Sequence, residues 1–454
     1  MIDISKTVAK QKAFYLTGAS RDVSFRLAQL KKLRVALQAN QSDIEQAMYA
    51  DFRKSAFEVY TSEFALIISD IKKFERNLRR WARPKTVRRT KATMHAKGTI
   101  VHEPYGVALI ISPWNYPVQL TLAPLIGAMA AGNTAVVKPS RHVPNTAAVM
   151  KRIIEENFGE EYIAMVEGGS DVNAALLAQR YDYIFFTGGT KVGRIIMQTA
   201  AQTLTPVTLE LGGKTPCIVD ETAHIKEAAK AICWGRFFNA GQTCISPDYV
   251  MVHRSAKDAL LEEMAKTVRR FYGDDPQQSP DLARLINDKH FERVAALIDK
   301  EKVYIGGQTA AADRYIAPTI LTNVTFDDAV MSEEIFGPLL PVIEYDDTEE
   351  MIGKLAGFES PLALYVFCRN KKTAAKYLRR LPSGGAVVND TMIQFINSHL
   401  PFGGKGNSGI GNYHGKHSFE TFSHKRAVVF RSLLLDLPRY APYKNKLGLI
   451  RKLL

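Results

Sequence analysis

The segment Asn239-Ala240-Gly241-Gln242-Thr243-Cys244 places a cysteine in a glycine-containing turn after a helical stretch. A cysteine nucleophile needs exposure and a stabilised thiolate, whereas most lone cysteines are buried and inert. Glu210 lies in an apolar strand-like run that ends in two glycines. A carboxylate there is either a buried acceptor or a general base with a raised pKa. Asn115, between Trp114 and Tyr116, has the amide needed to donate to a developing oxyanion. Asparagine also suits an ordinary turn. The run Phe186-Thr187-Gly188-Gly189-Thr190-Lys191-Val192-Gly193 follows a strand signal and opens a helix. Glycines there let a phosphate approach the N–H groups at the helix start, or simply make a tight turn. The spacing is not GxGxxG, so it is not the ordinary dinucleotide fingerprint.

Other combinations are set aside. Gly212-Gly213-Lys214-Thr215 resembles the end of a phosphate loop, but that motif needs a glycine where Thr208 stands. Cys217, Cys233 and Cys368 sit in apolar strand or helix contexts and read as packing residues. No CxxC pair and no His/Asp/Glu cluster has metal-ligand spacing, so no metal site is expected. His414, His417 and His424, in a basic loop-like stretch, read as solvated or packing residues.

These residues need elements to position them. Phe64, Ile67, Ile68, Ile71, Phe74 and Leu78 recur at three- and four-residue spacings, which predicts one buried helical face. Residues 83–91 form a basic break, and 99–102 read as a strand. Val107–Ile111 is a wholly apolar run, as expected of a strand covered on both faces. Short apolar runs at 134–137, 163–166, 183–186 and 207–211 alternate with helical segments. So do later runs at 249–253, 362–368 and 386–388. The pattern predicts an α/β fold with doubly wound parallel sheets. Ligands of such sheets bind beyond the carboxyl ends of strands, which is where the glycine-rich turns fall. The boundary between the two main units is expected near 210–214, and residues 427–430 read as a further strand.

The chain has 454 residues. That length corresponds to about two to four folding units. Hydrophobic residues make up 46% and charged residues 23%, which argues against general disorder. The net charge of +14 invites a nucleic-acid or anionic-membrane reading, but it suits anionic cofactors equally. Four scattered cysteines fit a reducing compartment, and no apolar run reaches the ~20 residues of a membrane span. The expectation is a cytoplasmic protein that binds no nucleic acid.

The segments PWNYP, KPS, FTGGTKVG, LELGGK, GQTC, EEIFGP and LPFGGKGNSGIGNYHGKHSFETFSH together resemble the aldehyde dehydrogenase superfamily, most closely its class 3 branch. They stand in the family's order and cover nearly the whole chain. The resemblance implies Cys244 as nucleophile, Glu210 as general base and Asn115 as half of the oxyanion hole, with the Cys244 N–H as the other half. It implies Glu334 and Phe336 at the nicotinamide riboside, Lys138 at the adenosine ribose and Gly189 at the pyrophosphate. Trp114, Gly188, Thr190, Val192, Gly193 and Leu211 complete the implied NAD or NADP contacts. Class 3 relatives often carry glutamate after KPS, and here the residue is Arg141. A guanidinium can bind a 2′-phosphate bidentately, so the expectation leans to NADP. The alternative is that Arg141 points into solvent.

The same resemblance implies a Rossmann-type cofactor domain (1–84 and 104–209), a catalytic domain (210–410) and a bridging arm (85–103 and 411–432) that pairs two subunits. The arm predicts a homodimer. A basic apolar tail (433–454) is expected to make at most a weak peripheral membrane contact. The implied substrates are medium- and long-chain aliphatic or aromatic aldehydes. One rival is a coenzyme-A-acylating enzyme, against which Glu210 argues. Another is a catalytically silent relative that binds anionic surfaces.

Overall fold

A computed structural model describes residues 3–434 and 439–453. The first sheet contains Val107–Ile111 (β1), Thr134–Lys138 (β2), Ile163–Met165 (β3), Tyr183–Thr187 (β4) and Val207–Glu210 (β5). Its spatial order is β5-β4-β1-β2-β3, all parallel, with the short antiparallel strand Gly409–Ile410 outside β5. All residues of β1, β2 and β4 are buried, because helices cover both faces. That double burial explains why these strands are continuous apolar runs rather than alternating ones. The order reverses at β1, and the PWN, KPS, FTGG and LELGG segments all follow the carboxyl ends of its strands.

Helix α1 (Ala65–Trp81) buries Ile67, Ile68, Ile71, Phe74, Leu78 and Trp81, the face expected from the spacing. Phe64 is buried too, but in a wider π-type turn at Tyr60–Phe64. Helix α2 (Gln119–Ala131) is buried along its entire length and stops at Gly132, whose φ of 99° releases the chain into β2. Helix α3 (Thr190–Ala201) runs from β4, and helix α4 (Ile225–Phe237) leads toward Cys244.

The second sheet runs in the order Val303–Ile305, Thr319–Leu321, Leu339–Tyr345, Tyr249–His253, Pro216–Val219, Ala363–Phe367 and Gly385–Val388. Every pairing is parallel except that of Val303–Ile305. The strands between 303 and 345 were not legible beforehand, being short or interrupted by proline. A third sheet joins Lys85–Thr86, Ala96–Pro104 and Ser423–Arg431, the last two paired over nine residues. The strand expected at 427–430 is therefore the end of a longer one. No helix among the described residues is long and apolar enough to cross a membrane. Part of the basic tail, residues 435–438 and 454, lies outside the described residues. Its remainder includes the helix Leu447–Leu453.

Candidate functional site

Helix α4 ends and the chain turns sharply before Cys244. Asn239 and Ala240 adopt left-handed backbone conformations (φ 54° and 52°), and Gly241 follows at φ 74°. A Cβ on Gly241 would lie 2.2 Å from the Gly337 carbonyl oxygen, so only glycine fits. The turn is pinned from several sides. Gln242 donates through Nε2 to the carbonyls of Asn239 and Arg284, each at 3.0 Å, and its Oε1 accepts from the Ile286 N–H. Thr243 shares a 2.6 Å hydrogen bond with the Tyr116 hydroxyl.

Asn115 comes into this turn from the carboxyl end of β1. Its Nδ2 donates to the Gln242 carbonyl at 3.0 Å, and its own carbonyl accepts from Asn239 Nδ2 at 2.9 Å. An amide nitrogen has two hydrogens, so one remains for a further acceptor. Glu210 ends β5, opposite Thr187 on one side and Gly409 on the other. It is buried, and neither carboxylate oxygen has a hydrogen-bond partner among the described residues. Burial pushes its pKa well above the usual carboxylate range. Cys244 and Glu210 line one cavity of ≈ 130 Å³, walled largely by Leu120, Trp234, Phe238, Phe395, Phe402 and Tyr413. Burial raises the Cys244 thiol strongly, and Glu334 and then Glu210 add to the rise. The backbone N–H groups of Cys244 and Ile245 oppose it.

None of the implied cofactor contacts lines that cavity; they lie at the turns around it. Glu334 sits against the glycine turn after β5, where a Cβ on Gly212 would meet its Oε2 at 2.0 Å. Burial, with Asp248 nearby, pushes the Glu334 carboxyl up to about 8, while the Gly213 N–H and Arg236 counteract. Asp248 anchors this loop. It accepts from the Ile335 N–H and pairs with buried Arg236 and with Lys214. Phe336 takes a φ of 50° and meets the Trp114 ring edge-on at 5.3 Å. Leu211 packs on Gly193, whose Cβ would otherwise come within 2.7 Å of Leu211 Cδ2.

A dinucleotide fits the groups present. Gly189 caps α3 without a side-chain hydrogen bond, and a Cβ there would meet nothing within 4 Å. The positive helix start is thus open to an anion. Val192 is 43% exposed on the outer face of α3, leaving apolar surface beside that start. Thr190 Oγ1 bonds to the Asn407 carbonyl at 3.3 Å, while Gly188 donates its N–H to the Glu210 carbonyl. Lys138 is buried at the end of β2, and its ammonium has no hydrogen-bond or ion-pair partner among the described residues. Burial and the neighbouring Arg141 lower it to about 8. Arg141 is exposed, and its Nη1 lies 2.9 Å from where a Cβ on Gly169 would stand. No cluster that could hold a metal ion occurs among the described residues.

The sequence model of the aldehyde dehydrogenase family matches residues 2–428. The chain belongs to the aldehyde dehydrogenase family. The enzyme is therefore an NAD(P)-dependent oxidoreductase that oxidises aldehydes. It is 46% identical over 443 residues to the 4,4'-diaponeurosporen-aldehyde dehydrogenase of Staphylococcus aureus, covering 97% of this chain and 96% of that one. It is 44% identical over 445 residues to human aldehyde dehydrogenase family 3 member B1, covering 97% and 95%. A canine relative, named as a dimeric NADP-preferring aldehyde dehydrogenase, is 42% identical over 450 residues, covering 98% and 99%. The solved substrate-bound state of Staphylococcus aureus AldH superposes with a TM-score of 0.98 at 45% identity, covering 100% of this chain and 99% of that one.

Several side chains that shape the enzyme's crevice carried no signal in the sequence. Lys54 and Glu63 form a fully buried pair at 2.7 Å, and Glu63 accepts from the Val118 and Gln119 N–H groups at the start of α2. Tyr413 lies within the C-terminal motif, where nothing in the local pattern singles it out. Its buried hydroxyl has no hydrogen-bond partner among the described residues. His414, left between solvent and packing, packs: it stacks on Phe402 at 5.1 Å and is buried. His424 is exposed.

Proposed function

We propose that Cys244 is the nucleophile, Asn115 with the Cys244 N–H the oxyanion hole, and Glu210 the general base. The observation that carries this reading is the shared cavity. It brings a partly exposed thiol and a buried carboxylate with no partner into one apolar space. The thiolate adds to the aldehyde carbon, and the oxyanion of the resulting thiohemiacetal takes the free hydrogen of Asn115 Nδ2. Donors placed where charge develops are worth roughly 3–4 kcal/mol each in other enzymes. A bound nicotinamide would supply the hydride acceptor for that carbon. Glu210 then removes a proton from water, which attacks the thioester and releases the acid with the Cys244 thiolate. Lys138, Glu334, Phe336 and the start of α3 hold the cofactor in this reading.

The apolar walls favour medium- and long-chain aliphatic or aromatic aldehydes as substrates. Arg141 beside Lys138 favours NADP, consistent with the name of the canine relative. We assign residues 1–84 and 104–209 to cofactor binding, 210–410 to catalysis, and 85–103 with 411–432 to an arm that pairs two subunits in a homodimer. Free cysteines support a cytoplasmic setting, and the basic tail is given a weak peripheral membrane contact. Liposome flotation that is unchanged by removal of 444–454 would remove that last assignment.

The experiment is reduced-cofactor absorbance with hexanal and benzaldehyde, using NAD and NADP in turn. Turnover is expected in the wild type and is expected to vanish in Cys244→Ala, with the free acid as product. An active Cys244→Ala, or an acyl-coenzyme A product, would overturn the assignment. Arg141→Glu is expected to shift the NADP/NAD efficiency ratio toward NAD, and an unchanged ratio would show that Arg141 plays no part in the choice.

A further inference from the structure

The turn that presents Cys244 is costly by itself. Asn239 and Ala240 are consecutive non-glycine residues at positive φ, a conformation that persists only where surrounding groups over-determine it. Besides bonds within the turn, others reach it from Asn115, Tyr116, Arg284 and Ile286. A further one comes from much earlier in the chain. Glu58, on the short helix Ala56–Val59 in the N-terminal helical segment, directs both carboxylate oxygens at the Asn239 N–H, at 3.2 and 3.3 Å.

That N–H is buried, and Glu58 is its acceptor. The next links lead to the reacting groups. Asn239 Nδ2 donates to the Asn115 carbonyl and, at 3.2 Å, to the Gln242 carbonyl. The Gln242 carbonyl also receives Asn115 Nδ2. A single shift of Asn239 therefore moves the Asn115 backbone carbonyl and the Gln242 carbonyl that receives the Asn115 side-chain amide, two residues before Cys244. The same helical segment supplies Lys54, whose Nζ lies 3.9 Å from the centre of the Tyr116 ring, and Glu63, which holds the start of α2. A buried acid, base and acid thus brace the two chain segments that meet at the cavity. Burial pushes Glu58 up to about 7, with Lys54 opposing. A carboxyl group accepts a hydrogen bond in either protonation state.

We propose that Glu58 is a positioning residue for aldehyde oxidation: as acceptor for the Asn239 N–H it fixes the left-handed turn at 239–240, and through that turn the alignment of Asn115 with Cys244. The inference rests on Asn115 and Cys244 having the roles assigned above. Glu58 does not line the cavity shared by Cys244 and Glu210, so its removal is expected to act on kcat rather than on binding.

The test compares Glu58→Gln, Glu58→Ala and Glu58→Asp in the full chain, with hexanal as substrate. Glutamine keeps an acceptor at the same reach. Alanine removes it, and aspartate keeps the charge but falls one methylene short. The expected result is a kcat within about threefold of wild type for Glu58→Gln and at least about tenfold lower for Glu58→Ala and Glu58→Asp. KM for both aldehyde and cofactor is expected to stay within about threefold, since Glu58 does not line that cavity. If Glu58→Ala does not fold, the Gln and Asp pair alone decides. An Asp variant at wild-type level with a Gln variant far below it would assign the charge rather than the acceptor and overturn the proposal. So would three variants with unchanged kcat, or a loss carried wholly by KM. Cys244→Ala measured alongside separates the two levels. If it stays active, the role assignment fails first; if it is dead while the Glu58 pattern is absent, only this inference falls.

Discussion

Glu210 and Cys244 line one cavity, in an environment that disfavours charge on both. Burial raises the thiol, and Glu334 and Glu210 raise it further. Thiolate therefore forms only as pH rises, so the inactivation rate with iodoacetamide should climb with pH beyond the range of an ordinary cysteine. Replacing Glu334 by Gln removes the larger of the two carboxylate contributions, and the midpoint of that profile should move to lower pH. An unmoved midpoint would show that the field of Glu334 does not reach the sulfur. Glu210→Gln keeps the shape of the site but removes the carboxylate proposed as base. Steady-state kcat should fall by about 10²–10⁴. A first-turnover burst of reduced cofactor should remain in stopped-flow traces, because water attack then limits. Loss of the burst together with kcat would place Glu210 before the thioester.

At the scale of elements, the site is a set of turns at strand ends joined by backbone that only certain residues tolerate. Gly241 is among the tightest of these, with a positive φ and the Gly337 carbonyl 2.2 Å from any added Cβ. Gly241→Ala must push the GQTC turn off the EEIFGP loop, at a cost of roughly 2 kcal/mol or more. The expected outcome is a lower unfolding midpoint together with weaker cofactor binding, measured by thermal denaturation and cofactor fluorescence titration. Wild-type behaviour in both would mean that the two loops move independently. The Asp248 pairs with Arg236 and Lys214 belong to the same joint. They hold the loop that carries Glu334 and Phe336, although none of the three lies in the EEIFGP segment.

At the scale of the whole molecule, buried ionisable groups tie stability to pH. His414 is packed among Phe395, Phe402 and Tyr413, and burial, with Lys73 and His417 nearby, lowers it to about 3. The unfolded chain takes up this proton near 6.5, whereas the folded chain does not until about 3. Stability is thus intact above 6.5 and declines as pH falls toward 3. The slope approaches about 1.4 kcal/mol per pH unit from this residue. His414 has a φ of 84°, which asparagine tolerates, so His414→Asn should lower stability at pH 8 yet flatten its decline between pH 6.5 and 4 in urea titrations. An equal slope in both proteins would show that other groups govern the acid response.

The sequence by itself determined the strands β1, β2, β4 and β5, the helices between them and the turns at their carboxyl ends. Each is specified by local pattern: an apolar run for a strand covered twice, a three-to-four spacing for α1, and glycine where a turn must reverse. The motifs around Asn115, Glu210, Cys244 and Glu334 were legible for the same reason, since each is a short contiguous run. Only the tertiary structure decided what surrounds them. Glu58 meets Asn239 across 181 residues, and Lys54 and Glu63 are fully buried together. In the sequence these are charged residues in a largely helical stretch, indistinguishable from solvated ones, with Lys54 in the link between two helices. Burial and a distant partner give them their role, and neither has a local signature. The raised pKa values of Glu210 and Cys244 have the same origin, because desolvation is a property of the closed fold and not of the residues that line it.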